Sequence, residues 1–165
     1  VIVHSLKIPV TDYQHQLLTA MLGCAPYKAN YKNAFGKLIL ASYNKKSTCS
    51  KKKVKADQKY YEVLIPSSWV ERHGATFLSE ESIKDFIEHI DHRFKRELYC
   101  YIDGVIDFKN NYNATNKEKI VAKMKDASLL FLQKNGFNED TLKFETIKKG
   151  YQRHTGHNKT FARVG

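Results

Sequence analysis

Cysteine is scarce: Cys24, Cys49 and Cys100 are the only three in 165 residues, an odd number at wide spacing with no C-x-x-C pair. A disulfide framework and a zinc knuckle are therefore not expected, and a reducing compartment is. Proline is equally rare, with Pro9 and Pro66 ending apolar patterns and Pro26 closing a turn. No apolar run approaches the roughly 18 residues that a membrane span needs, and the opening VIVHSLKIPV is too short and interrupted for a secretory core. Also missing are the nucleophile elbow, the phosphate loop, H-E-x-x-H and the deaminase signature. The chain is expected to be non-enzymatic, without metal or cofactor, away from membranes, and cytoplasmic or packaged in a virus particle.

What is present favours a folded protein with a polyanionic partner. Apolar residues make up 42% of the chain, with ten Tyr, nine Phe and one Trp, too rich in aromatics for disorder. The net charge of +11 is unevenly placed: +3 over residues 1–44, +6 over 45–59, −4 over 60–110 and +6 over 111–165. Basic zones flanking an acidic middle create a field with direction, as nucleic-acid binders do.

Patterning predicts an α+β, mainly helical chain. Ile2, His4, Leu6 and Ile8 alternate with Val3, Ser5 and Lys7 up to Pro9, which reads as a half-buried strand. Thr11 or Asp12 then caps a helix with Tyr13, Leu17, Leu18, Met21 and Leu22 on one face, stopped by Gly23. A second helix is expected from near Asn30, burying Ala34, Phe35, Leu38, Ile39 and Tyr43. The lysine-rich stretch 45–59 reads as an exposed linker.

Residues 60–102 repeat the plan. Tyr61, Val63 and Ile65 alternate with Tyr60, Glu62 and Leu64 up to Pro66, Ser67 or Ser68 caps a short helix through Trp69, and Ser79 caps a long one. That helix carries Ile83, Phe86, Ile87, Ile90, Phe94 and Leu98 in an apolar stripe, with Glu80 and Glu81 at its start. Gly104 and four asparagines predict a loop over 103–116, with a strand possible at 104–108. A helical hairpin should follow, with helices at 117–134 and 139–153 joined at NGFN. Asn138 caps the second, and Phe137 and Leu142 form a staple. The basic tail 155–165 has little pattern.

Both halves share the order strand, Ile-Pro, hydroxyl cap, helix, glycine and second amphipathic helix. The Ile-Pro pairs stand 57 residues apart. In this, residues 1–100 resemble a tandem, single-chain form of the ribbon-helix-helix family of Arc and MetJ type. The resemblance implies that the two strands pair as an antiparallel ribbon entering the major groove of DNA. Val3, Ser5 and Lys7, with Tyr60, Glu62 and Leu64, would then face the groove, Ser5 and Lys7 being the base readers. Lys28, Asn30 and Lys32 would meet phosphate near a helix start, a role that Glu80 and Glu81 disfavour in the second half. Without the resemblance, the same order of elements also suits another small α+β domain.

Three further basic or aromatic features bear on binding. Lys45, Lys46, Lys51, Lys52, Lys53 and Lys55, with Lys59, could neutralise phosphates without reading sequence, or could be solvated chain. Lys143, Lys148, Lys149 and Arg153 could line the second helix of a helix-turn-helix, although a plain helical hairpin accounts for them as well. Tyr27, Lys28, Tyr31 and Lys32 interleave rings and charges as single-strand binders do, but also suit a packed helix flank. His89 and His92 make half a metal site and read as helix surface, and Asp103 with Asp107 lacks a third acid for a metal nuclease. The expected function is a non-enzymatic nucleic-acid-binding regulator or accessory factor that engages duplex DNA. The second reading is an assembly protein of a virus particle or mobile-element complex, touching nucleic acid or an acidic protein partner.

Overall fold

The period-two stretches form strands with the faces expected of them. β1 (Val3–Pro9) buries Leu6 and Ile8 and exposes Val3, Ser5 and Lys7, while β3 (Tyr60–Pro66) buries Tyr61, Val63 and Ile65. They pair antiparallel along their whole lengths, from Val3 against Pro66 to Pro9 against Tyr60, with Leu6 opposite Val63 at the centre. Each proline sits at a strand end, where its missing N–H least disturbs the ladder. A computed structural model describes residues 3–32, 34–42, 59–73, 78–110, 117–137 and 140–161. Within them the fold is α+β and mostly helical, with six helices and a three-stranded sheet of order β1-β3-β2. Two compact units result, Val1–His92 and Arg93–Gly165. The division falls inside the long helix α4 (Glu80–Asn110).

In the first unit, α1 (Asp12–Leu22) starts at a capping box in which Thr11 and Gln14 satisfy each other's backbone N–H. Gly23, at φ 97°, ends it, and its carbonyl accepts a hydrogen bond from the Tyr61 hydroxyl at 2.6 Å. Burial, with Tyr27 and Cys24 nearby, pushes the Tyr61 phenol well above its ordinary pKa, so it stays a donor. The chain then departs from expectation. Tyr27–Lys28 form β2, a two-residue strand parallel to β3, and α2 begins at Ala34 rather than near Asn30. Asn30 Oδ1 accepts from the Lys32 N–H at 2.9 Å, and this local turn competes with helix formation. α2 (Ala34–Ser42) buries Ile39 and Leu40, whereas Ala34, expected inside, is exposed and Tyr43 lies outside the described residues.

α3 (Ser67–His73) plants Trp69 in the core, and Ser79 caps α4 through the Ser82 N–H at 3.0 Å. Phe86, Ile87 and Ile90 continue the buried stripe in this unit, and the Tyr13 hydroxyl ties α1 to α4 by donating to Asp91.

In the second unit the loop expected at 103–116 is overturned over its first part: α4 continues as helix to Asn110, and there is no strand at 104–108. Ile102 is fully buried, and Asp103 accepts a hydrogen bond from the Tyr151 hydroxyl. Those contacts outweigh the roughly 1 kcal/mol that Gly104 costs a helix. Residues 111–116 lie outside the described set. α5 (Lys117–Lys134) ends at Gly136, φ 72°, as the Asn-Gly pair predicts. α6 (Phe144–Phe161) starts later and runs further than expected. Residues 140–143 form turns, so Leu142 precedes the helix, and Phe137 packs on Phe94 at 4.7 Å. The stretch after His154, which shows little pattern in the sequence, is helical through Phe161. There Thr155 donates back to the Tyr151 carbonyl, and the His154 ring lies 5.2 Å from Tyr99. α5 and α6 lie against each other.

Candidate nucleic-acid interface

The solvent face of the sheet collects residues from all three strands. Ser5 lies opposite Leu64, Leu64 is paired on its other side with Lys28, and Lys7 lies opposite Glu62. Alternation puts Val3, Ser5, Lys7, Lys28, Glu62 and Leu64 on the same side. β2, which no periodicity in the sequence reveals, thus brings Lys28 onto the face that carries Ser5 and Lys7. Glu62 moderates this face: its Oε1 accepts from the Ser5 hydroxyl at 2.5 Å, and it is the cross-strand partner of Lys7. A base acceptor must compete with Glu62 for the Ser5 proton, whereas the Ser5 oxygen can still accept.

Asn30 and Lys32 lie just ahead of α2, which begins at Ala34. They occupy the turn between β2 and α2, where the Asn30 side chain is committed to the Lys32 backbone. Lys28 and Lys32 are exposed. Glu80 and Glu81 stand in the first turn of α4, also exposed, where they disfavour a phosphate.

Lys45, Lys46, Lys51, Lys52, Lys53 and Lys55 lie outside the described residues. Lys59 is described and is engaged, its ammonium 2.6 Å from Asp12 Oδ1 and its carbonyl accepting from the Val10 N–H. Lys59 holds the Asp12 carboxyl below its ordinary pKa, first by hydrogen bonding and then by charge. A carboxylate with a lowered folded-state pKa adds stability above its unfolded value near 3.8, and that is lost as pH falls through the folded value. Asp12→Asn should remove a small part of the acid-side loss of stability and leave neutral-pH stability nearly unchanged, because the pair is exposed. Urea melts at pH 7 and pH 3 check this; an equal pH dependence in both proteins would refute it.

In the second unit, Lys149 and Arg153 are exposed one turn apart on α6, with Gln152 beside them, and Lys148 is half-buried. Lys143 precedes the helix and so is not part of a basic face on it. Ile147 is buried and Tyr151 half-buried on the opposite side.

His89 and His92 are exposed on α4, and among the described residues no three His, Cys, Asp or Glu groups cluster as a metal site. Cys24 and Cys100 are exposed free thiols. No helix among the described residues is long and apolar enough to cross a membrane.

The sequence missed the pairing of Tyr31 with Trp69. Tyr31 is not on a helix flank; it stands in the turn after β2, half exposed, its ring 4.7 Å from that of Trp69. The residues are 38 apart in sequence and on unrelated local patterns, so no spacing signal joins them. No protein-family model, no curated protein and no solved structure matches the chain.

Proposed function

We propose that the chain is a non-enzymatic nucleic-acid-binding protein that engages duplex DNA, acting as a regulator or accessory factor, and that its first 100 residues form a pseudo-dimeric ribbon-helix-helix. One observation carries the reading: β1 and β3, the equivalent strands of the two repeats, pair antiparallel with Leu6 opposite Val63, positions 57 apart. A two-fold axis through that pair would exchange the two strands, the arrangement the strands of two subunits adopt in a DNA-reading ribbon. The resulting face carries Ser5, Lys7 and Lys28. In this reading Lys7 and Ser5 contact base edges, while Lys28, Lys32 and the lysines at 45–55 neutralise phosphate. Lys148, Lys149 and Arg153 supply a second backbone contact from a C-terminal helical hairpin. The setting is cytoplasm or a virus particle, and a phage or mobile element fits the basic, asparagine-rich composition.

Fluorescence anisotropy with random duplex, selected duplex and single-stranded oligonucleotides across a salt series tests this. The Ser5→Ala, Lys7→Ala double variant should lose about 1–3 kcal/mol of preference for the selected duplex per base contact removed. Replacing Lys45, Lys46, Lys51, Lys52, Lys53 and Lys55 by Gln should weaken all duplexes alike and flatten the salt dependence. Undiminished preference in the double variant would defeat the ribbon reading. Weak binding, equal for every sequence and erased by salt, would move the protein to assembly in a particle or mobile-element complex.

A further inference from the structure

We infer that Tyr31 is a stacking platform for an unpaired base, flanked by Lys28 and Lys32 as phosphate contacts, so that the chain also takes single-stranded nucleic acid. The inference deepens the nucleic-acid reading and rests on it, but through side chains other than Ser5 and Lys7.

Three features of the first unit combine here. Tyr31 is 50% exposed, and the ring it leans on, Trp69, is only 6% exposed and so is anchored in the core. The turn carrying Tyr31 is constrained on both sides. Before it, the Ala29 N–H donates to the Leu64 carbonyl at 2.9 Å; within it, Asn30 Oδ1 holds the Lys32 N–H; after it, α2 brings Gly36 so close that a Cβ there would lie 1.9 Å from the Asn30 carbonyl oxygen. A ring held in place before its ligand arrives loses little freedom on stacking. Finally, Lys28 and Lys32, three residues before and one residue after Tyr31 in the chain, are exposed, and no carboxylate lies within ion-pair distance of either among the described residues. A half-exposed aromatic ring with exposed cations nearby in the chain is the chemistry that binds a base and its neighbouring phosphates without regard to sequence.

Trp69 is the chain's one tryptophan, so its emission reports on this place alone. The full chain would be titrated with a 12-mer of dT, a 12-mer of U and a random duplex, following anisotropy and Trp69 emission together. Saturation with whichever single strand binds tighter should change Trp69 emission. Tyr31→Ala should weaken that complex roughly 10-fold, while Tyr31→Phe stays within about two-fold. Lys28→Ala and Lys32→Ala should each lower the slope of log affinity against log salt by about 0.7. Duplex binding should be unaffected by Tyr31→Ala. Unchanged Trp69 emission at saturation of the unsubstituted protein, or single-strand affinity kept within two-fold in a folded Tyr31→Ala protein, overturns the platform while leaving the duplex reading intact. Failure to bind any of the oligonucleotides at low salt overturns both.

Discussion

Phe94→Ala is expected to remove about 4 kcal/mol of stability from the unit Arg93–Gly165. The Phe94 side chain is fully buried, with its ring centroid 5.6 Å from that of Phe131 and 4.7 Å from that of Phe137. Truncation forfeits the transfer of a whole ring out of water and leaves a cavity walled by two other rings. Neither wall can move in easily, because Phe131 also packs on Tyr101 at 5.4 Å and Phe137 is fixed behind Gly136 by its N–H bond to the Leu132 carbonyl. Phe94→Leu keeps most of the volume and should lose less than about half as much. Urea unfolding followed by circular dichroism measures both. A loss under 1 kcal/mol for the alanine variant would mean that this aromatic cluster does not organise the unit.

Gly36→Ala should be nearly as damaging, with a cost of about 3 kcal/mol and a fall in melting temperature of roughly 12–24 °C. The sign is the informative part, since replacing a mid-helix glycine by alanine ordinarily stabilises by up to about 1 kcal/mol. In α2 the added methyl would meet backbone: the carbonyl oxygen of Asn30 at 1.9 Å, its nitrogen at 2.7 Å and its carbon at 2.8 Å. Asn30 cannot retreat without breaking either its own turn or the hydrogen bond from Ala29 to Leu64. Because Tyr31 follows Asn30, the same substitution should alter Trp69 emission. Gly104→Ala is the matched control, at a helical position where nothing lies within 4 Å of the new methyl, and it should gain stability. Equal effects of the two substitutions in differential scanning calorimetry would contradict the close approach of α2 to the turn.

These two expectations also show where reading the sequence succeeds and where it stops. Phe94 was legible, because it lies on a stripe of apolar residues at helical spacing that begins behind an evident Ser79 cap. The alternation in β1 and β3 likewise predicted which side chains face solvent, and the Gly23 and Gly136 stops stand where they were expected, both at positive φ. Gly36 was not legible at all, since its importance lies in a backbone six residues away that folds back onto it. β2 escaped for a similar reason: two residues have no period, and Tyr27–Lys28 are extended only because β3 offers them hydrogen bonds. Gly104 and the asparagines after it read as a loop, but Ile102 and Asp103 found partners that carry the helix onward.

The candidate interface divides along the same line. Local chemistry, acting over neighbours in sequence, determined the strand faces, the helix caps, the apolar stripes and the uneven charge, because period, hydrogen-bonding caps and solvation depend on residues a few positions apart. Tertiary structure alone decided that Lys28 joins Ser5 and Lys7 on one sheet face, that Glu62 accepts the hydrogen bond of the Ser5 hydroxyl, that Lys59 pairs with Asp12, and that Trp69 lies under Tyr31. Each of those juxtapositions joins residues 21 or more positions apart, and which distant groups meet is governed by the packing of the whole unit rather than by any local preference.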